Sequence, residues 1–134
     1  MSDYVTFTLG GRAYATRIDD VREVVRLAEL MTLPDMTPPL SGVLDLRGVS
    51  LPVIDIRPVS GGPGDVLVLD GSDGQFGFAC DAVTAVMSRD DLTVEESRAA
   101  ESLPDYVECV LRGPDGPVFC VDVRRMAGDP ALAA

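Results

Sequence analysis

Alternating apolar and polar residues near the start of the chain predict a β-hairpin. Residues 5–9 place valine, phenylalanine and leucine at alternate positions, with threonines between them. The pair Gly10-Gly11 follows, and residues 12–18 continue the extended pattern. Two adjacent glycines supply the positive φ angles that a two-residue hairpin turn requires.

Two later segments repeat this arrangement. The predicted hairpins span residues 66–80 and 107–123, with turns at residues 70–74 and 113–116. In the first of these hairpins, Phe76, Phe78 and Cys80 fall on one face of the second strand, because side chains alternate between the faces of a strand. The chain is therefore predicted to be mainly β.

The segments between the hairpins carry mixed signals. Residues 19–26 begin with two aspartates and continue with valines at helical spacing. This pattern predicts about one turn of helix, followed by an extended run that ends near Leu33. Residues 90–100 contain paired glutamates and paired alanines, which favour a helix that ends before Pro104.

The chain also contains an internal repeat. A Leu-Arg-Gly triplet, three further residues, a Pro-Val pair and an Asp-x-Arg motif occur in this order within residues 46–57 and again within residues 111–124. Upstream of the two copies, residues 18–21 resemble residues 80–83. Because the order recurs and the spacing from the triplet to the Pro-Val pair is the same, the sequence predicts two homologous β lobes.

A single lobe of this size is marginally stable, so the two lobes are expected to pack against each other. Small antiparallel lobes usually close into barrels, which removes exposed strand edges. We therefore predict an all-β fold of two small five-stranded barrels side by side, with one or two short helices. The predicted division is a first lobe at residues 1–58, a linker at 59–65, a second lobe at 66–126 and a flexible tail at 127–134. The sequence leaves open which barrel the N-terminal strand completes.

Composition narrows the classes of function. The 134 residues include 11 basic and 22 acidic side chains, for a net charge of -11, and such a field disfavours nucleic acid and anionic membranes as partners. No histidine is present, which excludes the usual Ser-His-Asp and Cys-His mechanisms and imidazole metal ligands. No apolar stretch reaches 18 residues and the N-terminus does not resemble a signal peptide, so a soluble cytoplasmic protein is expected.

The remaining reactive residues are interpreted as structural. Cys80, Cys109 and Cys120 lack the paired spacing of zinc ligands or of a disulfide framework, which predicts small buried side chains in a reducing cytoplasm. Asp55 and Asp122 occupy equivalent repeat positions, where two carboxylates can do acid-base work. Each precedes an arginine by two residues, however, and this spacing favours solvated ion pairs worth about 0–1 kcal/mol.

Two further features have competing interpretations. DGSDG at residues 70–74 has acids at some positions of a calcium loop, but the third and fifth positions are serine and glycine, so a hairpin turn is favoured. Arg47 lies at the end of a predicted strand, directly before Gly48. It is either a surface arginine near a turn or an organising charge whose guanidinium binds an acid on the segment from residue 21 to 33, for which Glu23 is the candidate.

At this point the residues carry a resemblance to a known family. The string GVLDLRGVSLPVIDIR at residues 42–57 resembles the hallmark of the CheW chemotaxis coupling proteins, Gly-x-x-Asn-Leu-Arg-Gly-x-x-x-Pro-x-x-Asp-Leu-Arg. The opening YVTFTLGGRAYATRIDDVREVV is similar to the start of that family. Asp45 stands where asparagine is usual and places a second negative charge beside Arg47. The likeness covers residues 4–126.

The resemblance implies two SH3-like barrels and a scaffold without catalytic activity, cofactor or metal. Family members couple the cytoplasmic tips of methyl-accepting chemoreceptors to the histidine kinase CheA by binding the CheW-like regulatory domain of the kinase. The positions expected to contact partners, carried over from the family, are Val21, Glu23, Val24, Val25, Asp45, Arg47 and Gly48. The chain is expected to be a free-standing coupling protein, and the alternative is a regulatory module for another signalling kinase or cyclase.

Overall fold

The computed structural model describes residues 3–37, 40–58, 62–71, 74–88, 90, 93–95 and 103–128. Within these residues the chain is predominantly β, and its helical structure is confined to a 3-10 helix at Ile18–Asp20 and the single turn α1, Val123–Met126. The strands are β1 Tyr4–Leu9, β2 Arg12–Arg17, β3 Val21–Arg26, β4 Leu40–Leu46, β5 Val49–Ile54, β6 Asp65–Gly71, β7 Gly74–Cys80, β8 Ala82–Met87, β9 Thr93–Glu95, β10 Val107–Gly113 and β11 Gly116–Val121. The predicted all-β class with one or two short helices is confirmed.

The three predicted hairpins are present as the pairs β1–β2, β6–β7 and β10–β11. In the first turn, Gly10 and Gly11 have φ angles of 60° and 80°, which side chains with a Cβ rarely adopt. The last strand is shorter than predicted, since it ends at Val121 and Val123 begins α1.

The strands form two sheets. One has six strands in the order β8-β1-β2-β11-β10-β9, and the other has five in the order β3-β6-β7-β5-β4 among the described residues. Neighbouring strands are antiparallel except for two parallel pairs, β2 with β11 and β5 with β7. Each sheet therefore contains strands from both halves of the sequence.

The internal repeat explains this arrangement. The shift along the chain that converts one copy into the other is 62 residues for β1, β2 and β3, which become β6, β7 and β8 to within one residue at each end, and 67 residues for β4 and β5, which become β10 and β11. Under this shift both sheets have the same strand order, and β9 adds an edge strand to one of them. The N-terminal hairpin of each copy thus completes the sheet of the other copy.

This exchange differs from the predicted division of the chain. The first hairpin belongs to residues 1–58, yet β1 pairs with β8 and β2 pairs with β11 in the sheet built mainly from the second half. The linker at 59–65 is therefore not a boundary between sheets. The exchange also answers the question left open by the sequence, because the N-terminal strand lies in the sheet of the second copy.

The largest core joins the two sheets. Phe7 of β1 and Phe78 of β7 are fully buried, with ring centroids 6.2 Å apart in an edge-to-face arrangement. The predicted apolar face of β7 lies here, since Phe76 and Cys80 are buried in the same cluster. Two smaller clusters, one around Leu44 and one around Leu111, cover the other faces of the five-stranded and six-stranded sheets.

Two predictions need correction, the helix at residues 90–100 and the flexible tail that begins at residue 127. Residues 93–95 form β9 instead of part of a helix, with Val94 opposite Leu111 of β10, so strand pairing overrides helix propensity here. Residues 91, 92 and 96–100 lie outside the described part. Ala127 is buried in the joint core and so does not belong to a frayed tail, whereas residues 129–134 are not described.

The segment after β3 also differs from its prediction. The predicted helical turn is present as the 3-10 helix, but the extended run ends at Arg26, before Leu33. Met31 then forms an isolated antiparallel bridge with Val43, with two hydrogen bonds of 2.8 Å. In the described residues, no helix has the length and apolar character needed to cross a bilayer.

Candidate functional site

The ion pair between Glu23 and Arg47 is present. The guanidinium donates from Nη2 to Glu23 Oε1 at 2.5 Å and from Nη1 to Oε2 at 3.2 Å. Two parallel N–H to oxygen contacts fix the relative orientation of the two groups, which a single contact does not. The expected ion pair of Arg47 with the Glu23 carboxylate is thus present in the structure.

The turn between β4 and β5 positions Arg47. Arg47 and Gly48 have φ angles of 50° and 84°, the pattern of a tight two-residue hairpin turn. Asp45 Oδ1 accepts a hydrogen bond of 2.9 Å from the Gly48 N–H. Asp45 therefore stabilises the turn that presents Arg47, and in the hydrogen bonds described its carboxylate does not replace Glu23 as the partner of the guanidinium.

An amide oxygen can accept the same hydrogen bond, so Asp45→Asn should preserve the turn. Asp45→Ala should destabilise the protein by about 0.5–1.5 kcal/mol, the net contribution of one such hydrogen bond. Urea denaturation of both variants checks this prediction. Equal losses of stability in the two variants would contradict it and would point to the charge of Asp45 instead.

The ion pair connects the two edges of one sheet. Glu23 is on β3 and Arg47 follows β4, and these are the first and last strands in the order of the five-stranded sheet. The Met31–Val43 bridge brings the chain that follows β3 against β4 as well. The sheet is therefore curled so that its edges approach, with the ion pair at the end of β4 that carries the turn.

Both members of the pair are accessible to solvent. The Arg47 side chain is 69% exposed and the Glu23 side chain 34%. The hydrogen bonds from Arg47 lower the pKa of the Glu23 carboxyl, although partial desolvation opposes this shift. Because exposed ion pairs are screened by water and salt, the expected role of the pair is to hold the surface in one geometry more than to stabilise the fold.

The three valines predicted to line one groove do not share a face. Val21 packs against the joint core and Val25 against the core of the five-stranded sheet, whereas Val24 is 43% exposed. The alternation of a β-strand produces this difference, and the helical spacing used in the prediction does not apply. Of the three, Val24 is the one with a large exposed surface.

Val49 is an exposed apolar residue that sequence reasoning missed. It begins β5 directly after the Arg47-Gly48 turn and is 62% exposed, opposite Leu46 in the hairpin. The sequence did contain an indication of this residue: a valine directly follows the Arg47-Gly48 turn, a position where a buried side chain is not expected. We call Glu23, Arg47, Gly48 and Val49 the turn surface.

The two Asp-x-Arg motifs have different environments. Asp55 and Arg57 form a buried ion pair, with side chains 3% and 2% exposed, so the prediction of a solvated pair is wrong for this copy. Asp122 lies 3.9 Å from the partly exposed Arg124, and its Oδ1 accepts from the Arg124 N–H at the start of α1. Both carboxylates thus have structural hydrogen bonds, which leaves the acid-base hypothesis without support.

The other chemical candidates are also accounted for. Asp70, at the start of DGSDG, forms an ion pair with Arg22, while residues 72 and 73 of that motif lie outside the described part. Hydrogen bonds from Arg22 lower the pKa of the Asp70 carboxyl. The described ranges contain no cluster of three or more side chains arranged to hold a metal ion.

Comparison with known proteins identifies related sequences. A family model described as the CheW-like domain matches residues 3–131. The chain is similar to the chemotaxis protein CheW of Bacillus subtilis, with 28% identity over 111 residues, covering 78% of this chain and 67% of that protein. It is also similar to the chemotaxis protein CheW of Klebsiella aerogenes, with 30% identity over 108 residues, covering 73% of this chain and 61% of the relative.

A solved structure shares the fold. The scaffolding protein TtCheW from Thermoanaerobacter tengcongensis superposes with a TM-score of 0.73 at 21% sequence identity. The match covers 91% of this chain and 84% of that protein. At this level of identity the likeness concerns the fold, and it agrees with two sheets assembled as described above.

Proposed function

Because this chain belongs to the family of CheW-like domains, we propose that it is a non-catalytic chemotaxis scaffold that couples chemoreceptors to a CheA-type histidine kinase in the cytoplasm. The names of its relatives, chemotaxis protein and scaffolding protein, support the general role. The chain spans 67% and 61% of the two curated relatives, and the coupling of specific partners is part of the proposal.

The turn surface is the observation that carries the proposal. It combines a bidentate ion pair at the junction of two sheet edges with an exposed valine, Val49. Partner surfaces of proteins commonly combine apolar contacts with an arginine whose geometry is fixed. We propose that this surface contacts the tip of a receptor or the regulatory domain of the kinase.

Binding of both partners tests the coupling role. The purified chain is expected to bind a CheA regulatory domain and the cytoplasmic tip of a methyl-accepting receptor, and to hold both in one complex in co-sedimentation. Binding of neither partner would overturn the proposal. Binding of only the regulatory domain would replace it with a regulatory module for a kinase that is not coupled to receptors.

Charge reversal tests the turn surface. Arg47→Glu should weaken binding to at least one partner by about tenfold or more, since it places like charges in contact with Glu23. The melting temperature should change little, because the pair is exposed. Combining Arg47→Glu with Glu23→Arg should restore part of the binding.

Arg112 provides the matched control. It follows a leucine and precedes a glycine, as Arg47 does, it lies near the end of β10, and it is exposed. Arg112→Glu changes the net charge by the same amount, so a general electrostatic effect would weaken binding equally in both variants. A double-mutant cycle without coupling between positions 23 and 47 would count against the ion pair as the relevant feature.

A further inference from the structure

Cys109 and Cys120 face each other across a β-hairpin. They are register partners in the antiparallel pair of β10 with β11. Directly opposed residues in such a pair have Cα atoms about 4.5–5.5 Å apart, and disulfides form at Cα separations of about 4.4–6.8 Å. The expected Cα separation of these two cysteines therefore lies in the range that a disulfide can span.

The two thiols are also in contact with each other, and they differ in their exposure to solvent. Their side chains are hydrogen-bonded to each other, and both are free thiols in this structure. Cys120 is 2% exposed, whereas Cys109 is partly accessible to solvent. Burial, together with the charge and hydrogen bond of Cys109, raises the pKa of the Cys120 thiol to about 12. Cys109 is therefore the member that meets a reagent from solution, and Cys120 is the protected neighbour.

We propose that Cys109 and Cys120 form a reversible cross-strand disulfide by exchange with small disulfides such as oxidised glutathione. The Cys109 thiol loses its proton, and its sulfur attacks one sulfur of the small disulfide and expels one thiolate. Cys120 then loses its proton and attacks the Cys109 sulfur, which expels the second thiolate. Two electrons pass from the protein to the reagent, and two small thiols are released with the two protons.

This pair differs from the interpretation of all three cysteines as inert apolar side chains. A sequence separation of eleven residues has no zinc or disulfide signature, and only the hairpin register brings Cys109 opposite Cys120. The third cysteine behaves as that interpretation expects. Cys80 is fully buried, and its thiol donates to the Asp65 carbonyl oxygen at 3.5 Å.

Peptide mapping after equilibration in glutathione buffers tests the proposal. Free thiols are blocked by alkylation in acid-quenched samples, and trypsin then separates the two cysteines by cleaving after Arg112. In oxidising buffer we expect the peptides 99–112 and 113–124 to be linked, with Cys80 alkylated, and the link should disappear in reducing buffer. Alkylation of all three thiols in the most oxidising buffer, or a link that includes Cys80, would overturn the proposal.

Single substitutions separate the two roles. Cys120→Ala should leave Cys109 as a stable mixed disulfide with glutathione, because the second thiol is missing. Cys109→Ala should react at least tenfold more slowly, since the remaining thiol of the pair is buried. The control Cys80→Ala should form the cross-strand link like the parent chain. Modification of Cys109→Ala as fast as Cys120→Ala would contradict the assigned order of attack.

Discussion

Arg57→Ala should destabilise the protein by about 3–5 kcal/mol, because it leaves a buried carboxylate without its counter-charge. The Arg57 guanidinium donates from Nε to Asp55 Oδ1 at 3.0 Å and from Nη2 to Oδ2 at 2.8 Å. It also donates to the carbonyl oxygens of Pro63 at 2.9 Å and Gly62 at 3.2 Å. One side chain thus holds the end of β5 against the segment that leads into β6.

The positive charge of Arg57 is stabilised by its hydrogen bonds. Bonds to Asp55 raise the pKa of the Arg57 guanidinium, whereas its burial alone would lower it. Removing the guanidinium therefore removes the neutralising charge and three sets of hydrogen bonds together. The free energy of unfolding, measured by urea denaturation and circular dichroism, should fall by the full amount. A variant that cannot be recovered in folded form would also indicate a large destabilisation.

Arg124→Ala is the matched control, since Arg124 is the repeat equivalent of Arg57. Its side chain is 44% exposed and its Nε lies 3.9 Å from Asp122 Oδ1, so its removal should change stability by no more than about 0.5 kcal/mol. Similar losses of stability in Arg57→Ala and Arg124→Ala would contradict this prediction, because burial of the ion pair would then have no influence on its contribution to stability. Arg57→Lys should fall between the two, since one ammonium cannot reproduce the planar fork.

The two Asp-x-Arg motifs show where sequence reasoning reaches its limit. The letters and the spacing are the same in both copies, and same-face strand spacing predicts a solvated pair in each. Arg57 becomes buried because the chain at Gly62 and Pro63 crosses over it and offers two carbonyl oxygens. Arg124 instead lies in the short helix α1. The difference depends on chain segments outside the motif, so the residues of the motif alone could not predict it.

Local features were predictable where local physics determines them. Gly10-Gly11 fixes a turn by its φ angles, and the alternating residues beside it fix the strand faces. The pairing of Glu23 with Arg47 is not local, because it joins the two edge strands of the five-stranded sheet, and the sequence indicated it only as one of two interpretations of Arg47. The hairpin turn and the faces of its strands therefore follow from the sequence.

Features set by pairing between distant strands were not predictable in the same way. The repeat indicates two homologous units, but a duplicated sequence is equally compatible with hairpins that stay in their own unit and hairpins that exchange. Residues 93–95 have neighbours of helical propensity, yet they complete an edge of the six-stranded sheet. Val24 and Val25 differ in exposure because the segment is a strand, which valines at helical spacing did not reveal.

Gly64→Ala is expected to give the second large loss, about 1–3 kcal/mol or more, by overpacking. A Cβ added at Gly64 would overlap the Cys80 carbonyl oxygen and lie 2.8 Å from Arg57 Nη1. The backbone has little freedom to relieve this overlap. The Gly64 carbonyl oxygen accepts from the Leu27 N–H at 2.9 Å, and the next residue, Asp65, is paired with Cys80 in the β6–β7 ladder.

Gly62→Ala is the control, two residues away in the same segment. A Cβ at Gly62 has no atom within 4 Å, and the alanine keeps the carbonyl oxygen that Arg57 uses. Its stability should equal that of the parent chain or exceed it slightly, because alanine restricts the unfolded chain. If the two alanine variants unfold at the same urea concentration, the segment is not held against Arg57 and β7 as the structure indicates.

Combining Gly64→Ala with Arg57→Ala tests whether both residues act in one clamp. Loss of the guanidinium removes one of the two groups that the new methyl would meet, so the double variant should lose less stability than the sum of the single variants. The Cys80 carbonyl oxygen is backbone and remains in place, which keeps part of the cost. Strict additivity would mean that the overlap with Cys80 alone determines the loss, and that Arg57 stabilises this segment independently of Gly64.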